Sequence, residues 1–335
     1  MTSKNTLSSK TIEDIKRVGN AQILTWLKEN DILLAGRSTG NLFDVLEKAI
    51  NEQKLSTEQL KQAIAEIEEC SSKKIYLMTA KNIQNLEQNR DAVIKHLKKN
   101  HQITFSSQNW ITGNPNKGPT FIYGFWDNNV LKLKFSELHS DVEPDVQSRS
   151  FVTTSRIVVV VVVIDTNDGF VQLRLDNSGD THSHRNNEGK MTEGAYEEYY
   201  RDLLRELFPD LVFSDLNLTG VANHISEKEK KRFRITKGVS TVSSNAKQTF
   251  AIPSNKKGDI RDLIEYKGAS ESSDGLWTTE DLTGNWTVEE SEKELKKDLF
   301  MRISRKSSQI RVQRGCLEKE LNYGLRQIRE IQKSI

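Results

Sequence analysis

Apolar residues recur at helical spacing from Thr11 to about Asn100 and at strand spacing beyond it. Ile12, Ile15, Ile23 and Leu27 fall near one stripe, which predicts a first amphipathic helix running from Thr11 to just before Asn30 and Asp31. Gly40 and Asn41 open a second helix, whose Leu42, Val45, Leu46, Ala49 and Ile50 repeat three and four apart. Ser56 and Gln59 form a capping-box pair ahead of a third, which carries Leu60, Ile64 and Ile67. A short strand at Ile75–Met78 follows. Ile83, Leu86, Val93, Ile94 and Leu97 then mark a fourth helix.

From His101 the period becomes two, through Ile103 and Phe105, then Phe121, Tyr123 and Phe125, then Leu131, Leu133 and Phe135. Asp127-Asn128-Asn129 and Thr166-Asn167-Asp168-Gly169 sit between such runs as hairpin turns do. The run from Ile157 to Ile164 contains only Ile and Val, so it has no polar face and both its sides must be covered. A helix over Thr192–Phe208, stopped by Pro209, carries Tyr196, Tyr199, Tyr200, Leu203, Leu204, Leu207 and Phe208 and is the expected cover. Past Ser226 the pattern predicts strands at Leu299–Arg305 and Gln309–Arg314 and a last helix over Leu317–Lys333. Lys237–Ser244 and Gly268–Asp274 read as exposed loops, and a turn is expected at His224.

Strands in runs, rather than alternating singly with helices, give an α+β fold class. The expected division is a helical domain over 1–100, an antiparallel sheet with its covering helix over 101–225, and a basic, strand-rich region over 226–335. That last region ends in a helix and continues the preceding sheet. A length of 335 residues fits two or three compact units. A mean hydropathy of -0.62 and the eight-residue limit of the apolar run exclude a helical membrane span. The polar N-terminus has no signal-peptide core, and with two cysteines, Cys70 and Cys316, the chain is expected in the cytoplasm.

Overall charge is nearly balanced at +2, so electrostatic recognition has to be local. Residues 293–314 hold eight basic side chains, among them Arg302, Arg305, Lys306, Arg311 and Arg314, against Glu294 and Asp298 alone. On a two-stranded ribbon Arg302 and Ser304 face away from Met301 and Ile303, and Arg311 and Gln313 away from Ile310 and Val312. One face is then cationic, which suits phosphates and the major groove. Residues 271–292, with seven acidic side chains and no basic one, are the competing partner for that face. A second cluster, Lys228, Lys230, Lys231, Arg232, Arg234 and Lys237, surrounds Phe233, an arrangement able to track a backbone and stack a base.

Ile23-Leu24-Thr25-Trp26-Leu27-Lys28-Glu29-Asn30-Asp31-Ile32, then Gly36, Leu42, Leu46 and Ile50, resembles a SAP-type helix-extended-helix motif. The resemblance implies a DNA-binding unit of two leucine-rich helices over residues 23–50, with Arg37 where a lysine is usual. Leu263-Ile264-Glu265-Tyr266-Lys267 resembles the acidic-x-Lys half of PD-(D/E)xK nucleases, in which carboxylates hold a metal beside a lysine. Its other half is missing: Asp259 is six residues away and Pro209-Asp210 is 55 upstream. The same segment also reads as a helix with Ile260, Leu263 and Ile264 inward. His182 and His184 suit a solvated loop better than a metal site; Cys70 closes a helical stripe and Cys316 starts the last helix, so both read as structural residues.

Together these features point to a non-enzymatic nucleic-acid-binding protein, DNA first, acting as an accessory in replication, repair, segregation or genome (antiviral) defence. Its expected contacts are Arg302, Arg305, Lys306, Arg311, Arg314, Lys230, Lys231, Arg232 and Arg234. No cofactor, metal or membrane partner is expected. A protein-interaction subunit is the alternative, and a metal-dependent nuclease the second.

Overall fold

The computed structural model describes residues 6–32, 41–106, 120–145, 150–176, 185–186, 189–190, 193–241, 247–253, 256–273, 278–305, 308–313 and 315–335. The fold is α+β: helices dominate the first hundred residues, and a mainly antiparallel sheet of 11 strands follows. The chain forms two compact units. Unit 1 comprises Met1–Glu69 and Met78–Ser214, and unit 2 comprises Cys70–Leu77 and Asp215–Ile335. Residue 100, where the hydrophobic period changes, lies inside unit 1.

Unit 1 begins with α1 (Ser9–Val18), α2 (Asn20–Glu29), α3 (Leu42–Asn51) and α4 (Thr57–Cys70), whose last residue groups with unit 2. The single helix expected from Thr11 is thus two. Gly19 separates them at φ 95°, a conformation only glycine adopts readily, and a Cβ there would meet Gln22 Oε1 at 2.5 Å. Helix starts follow the side chains: Ser8 Oγ accepts from the Thr11 amide at 3.2 Å, and Ser56 and Gln59 close the expected reciprocal box at 2.8 and 3.0 Å. After β1 (Lys73–Lys81), the expected fourth helix is also two, α5 (Ile83–Gln88) and α6 (Arg90–His101), parted at Asn89. Ile103 and Phe105 form no strand; Phe105 makes an isolated parallel bridge to Gly124.

The sheet of unit 1 runs β5 (Phe170–Asp176), β4 (Ser150–Asp165), β3 (Val130–Asp145), β2 (Thr120–Asp127), all antiparallel, with both expected hairpins in place. Val158 to Ile164 are buried on both faces. After β5 along the chain come the two-residue strands β6 (Arg185–Asn186) and β7 (Gly189–Lys190), then α7 (Glu193–Leu207) and β8 (Val212–Asp215). α7 covers one face: Tyr200 stands edge-on to Phe135 at 5.7 Å, and its hydroxyl donates to Glu137 Oε1 at 2.6 Å. The opposite face meets α4, through Lys132 and Lys134.

Unit 2 comprises α8 (Leu218–Lys228), β9 (Phe233–Thr241), β10 (Lys247–Ala251), a 3-10 turn (Ile260–Asp262), α9 (Ile264–Glu271), β11 (Thr278–Trp286), β12 (Leu299–Ser304), β13 (Gln309–Val312) and α10 (Glu318–Ser334). Three expectations change here. His224 lies within α8, residues 237–241 extend β9, and residues 268–271 complete α9. Its strands are ordered β10-β9-β11-β12-β13-β1. Inward positions of β12 and β13, Leu299, Met301, Ile303, Ile310 and Val312, are buried with Leu321, Leu325 and Ile328 of α10. That helix comes close at Gly324, where a Cβ would meet Met301 Cε at 2.6 Å and Leu299 Cδ2 at 2.9 Å. Strict alternation along β12 sends every second residue to the other side of the sheet.

Candidate nucleic-acid interface

The outward face of unit 2 is built by register. Lys237 on β9 stands opposite Thr283 on β11, Thr283 opposite Arg302 on β12, Arg302 opposite Arg311 on β13, and Arg311 opposite Lys74 on β1. One row across five strands therefore carries four cations. Four interstrand steps of about 4.8 Å make it roughly 19 Å long. A second row reads Arg234, Asn285, Phe300, and a third Val239, Asp281, Ser304, Gln309, Tyr76. Lys237 is exposed, and Arg234, Thr283, Asn285, Phe300, Arg302 and Arg311 are half-buried, whereas Lys74 is nearly enclosed at 7%.

The acidic segment does supply partners to this face. Arg302 Nη2 meets Asp281 Oδ2 at 3.0 Å and Lys247 Nζ meets Glu280 Oε2 at 2.5 Å, while Arg234 pairs with Asp298 of the 293–314 stretch itself. Gln309 orders the third row: its Oε1 accepts from Arg311 Nε at 2.9 Å, and its Nε2 donates to the Tyr76 hydroxyl at 2.7 Å. Arg305 is exposed, its amide bound to the Glu280 carbonyl at 2.8 Å. Lys306 and Arg314 lie outside the described residues.

The cluster around Phe233 is not one surface. Lys230 Nζ pairs with Asp262 at 2.6 Å, Lys231 is exposed, and Arg232 reaches Gln327 of α10 and Glu229, while Arg234 and Lys237 join the outward face. Phe233 is fully buried and edge-on to Trp286 at 4.9 Å, so it stacks no base. Nor is β12–β13 a free ribbon. With β11 on one side and β1 on the other it is the middle of a sheet, too broad for a major groove about 12 Å wide.

The remaining sequence candidates disperse. Glu265 and Lys267 are exposed on α9, and Ile264, expected inward, is 83% exposed. Asp259 is committed inside unit 2: it takes Arg261 Nε at 2.9 Å and the Ile235 amide at 3.1 Å. Among the described residues no three His, Cys, Asp or Glu side chains are grouped to hold a metal ion. His182 and His184, and residues 33–40 of the SAP-like link, lie outside the described residues. Both cysteines are buried.

The most perturbed charges belong to unit 1, and sequence reading missed them. Lys134 Nζ lies 2.9 Å from Glu68 and 3.2 Å from Glu69; Lys132 Nζ lies 2.9 Å from Glu69, whose Oε1 also accepts from the Tyr123 hydroxyl at 2.7 Å. Arg17 joins by pairing with Glu68 and, at 2.7 Å, with Asp14. Burial by itself raises the Glu69 carboxyl, but the attraction of Lys134 and Lys132 outweighs it and brings it down to about 2. Burial likewise works against charge on Lys134, yet Glu68 and Glu69 hold its ammonium above the ordinary lysine value. Such shifts often mark active sites. Here the Lys134 side chain is 0% exposed and those of Glu68 and Glu69 3–4%, so the cluster offers no surface to a substrate and acts within the core. The signal available in sequence was two lysines on a strand paired to an all-apolar neighbour, which demands buried counter-charges.

Charge divides sharply between the units. Unit 2 carries 25 basic and 18 acidic residues, net +7, and unit 1 carries 24 and 29, net -5. No protein-family model matches the chain, and no curated protein is significantly similar to it. Among the described residues no helix is long and apolar enough to cross a membrane.

Proposed function

We propose that the protein binds nucleic acid, without catalysis, through the outward sheet face of unit 2, as an accessory to a system that handles nucleic acid. One observation carries this reading. Arg302 and Arg311 stand directly opposite each other on neighbouring strands, an arrangement that disfavours pairing, and the exposed Lys237 extends their row at the β9 end. Like charges kept together on a half-exposed surface, in the unit of net +7, are accounted for by a polyanion that spans them.

The test is fluorescence anisotropy with a labelled oligonucleotide at several salt concentrations. Binding should weaken on a log–log plot with a slope near -0.7 to -0.9 per phosphate contacted. Reversing Lys237→Glu with Arg305→Glu should weaken it at least about tenfold while the thermal melt stays nearly unchanged, because exposed charges contribute only about 0–1 kcal/mol to folding. Reversal of Lys48 and Lys54 on unit 1 serves as control. The pairing of Arg302, Arg234 and Lys247 with Asp281, Asp298 and Glu280 favours a second reading, a mixed-charge face that docks a protein. Wild-type protein without salt-sensitive binding to any oligonucleotide would establish that reading in place of the first.

A further inference from the structure

We infer that this face takes single-stranded nucleic acid in preference to duplex, with Phe300 as the surface on which a base stacks. The inference rests on the nucleic-acid reading above and narrows its ligand. Phe300 is not a core residue: its neighbours Leu299 and Met301 point inward and are fully buried, while Phe300 alternates to the outward face and is half-buried. There it is the aromatic of a row otherwise made of Arg234 and Asn285. Arg302 follows two positions along the same strand, on the same face. A ring with Arg302 two positions along its own strand and Arg234 across β11 in the same row supplies both parts of a single-strand platform, a π-face for any base and cations for the backbone. Asn285, directly across from Phe300, presents an amide that donates and accepts, as the Watson–Crick edge of an unpaired base requires.

Shape argues the same way. A duplex hides its base faces and is read by a helix or ribbon that enters a groove, whereas Phe300 lies mid-sheet with β11 on one side and β13 on the other. A single strand laid across the β-strands keeps its phosphates over the row from Lys237 to Arg311 and turns its bases toward Phe300.

The experiment compares full-length protein with three labelled probes of one mixed sequence: single-stranded DNA, single-stranded RNA and the blunt DNA duplex, all at the same salt. Either single strand should bind at least about tenfold tighter than the duplex, and whichever binds tighter identifies the natural sugar. Phe300→Ala should weaken single-strand binding by roughly tenfold and leave duplex binding unchanged; Phe300→Tyr should restore it, since tyrosine keeps the ring. Equal or tighter binding of duplex, or full single-strand affinity in a folded Phe300→Ala protein, would overturn the inference while leaving the nucleic-acid reading intact. Loss of affinity in Phe300→Tyr as large as in Phe300→Ala would also overturn it, by showing that the position acts through folding. Absence of salt-sensitive binding to all three probes would remove both.

Discussion

Lys134 and Arg302 are both cations on central strands, and each has a carboxylate at about 3 Å, yet they do opposite things. Lys134 in unit 1 is wholly enclosed and shared between Glu68 and Glu69; Arg302 in unit 2 has 42% of its side chain exposed and leans on Asp281 from one side. Removing an ion from water costs several kcal/mol, so the buried lysine is tolerated only because its partners are fixed around it. The surface arginine keeps most of its hydration, gains little from Asp281, and stays available to a polyanion. Solvent, not charge type, separates the structural cation from the one proposed to bind a polyanion.

That contrast is open to direct attack. The largest effect is expected from Lys134→Met, which leaves two buried carboxylates without their common partner and should destabilise the protein by about 3–5 kcal/mol in urea denaturation. Adding Glu69→Leu to that variant should recover part of the loss, as an apolar pair replaces a broken ionic one. A smaller effect, on the order of 3 kcal/mol, should appear on acidification. Glu69 is held at about 2, below its unfolded value of about 4.5, so its contribution is complete above pH 4.5 and is lost as pH falls toward 2. Melting temperature recorded across that window should fall for wild type and fall less steeply for Glu69→Gln. The smallest effect belongs to the surface: a double-mutant cycle on Arg302 and Asp281 should return a coupling of at most about 1 kcal/mol. A coupling as large as that at Lys134 would erase the distinction between the two regions.

Local chemistry was legible in the sequence. The capping pair Ser56–Gln59, the turns at Asp127–Asn129 and Thr166–Gly169, the interior valine strand and the final helix all follow from a few adjacent residues. Helices broken at Gly19 and Asn89 were harder, because the apolar stripe continues across each break. β9 and β11 were hidden for another reason. Their pairing shifts register between Thr279 and Asp281 and again between Thr283 and Gly284, and each bulge resets the alternation that reveals a strand. Arg302 and Arg311 were recognised, but not their continuation to Lys74, which lies more than 200 residues earlier and joins them only through the sheet. Glu68 and Glu69 gave no signal of their own in the sequence, since their partners on β3 are 63–66 residues away.

The interior strand β4 is uninformative about its own position. From Val158 to Val163 every residue is the same, so sliding it along β3 by one step or two presents an identical surface to either layer. Lys132 and Lys134 remove that degeneracy. A one-residue slip of β3 turns both ammonium groups toward the aromatic layer of α7, and a two-residue slip carries them about 7 Å from the carboxylates of α4. The buried charges thus act as an address written into a repetitive text: they specify which of several equally greasy alignments is the native one.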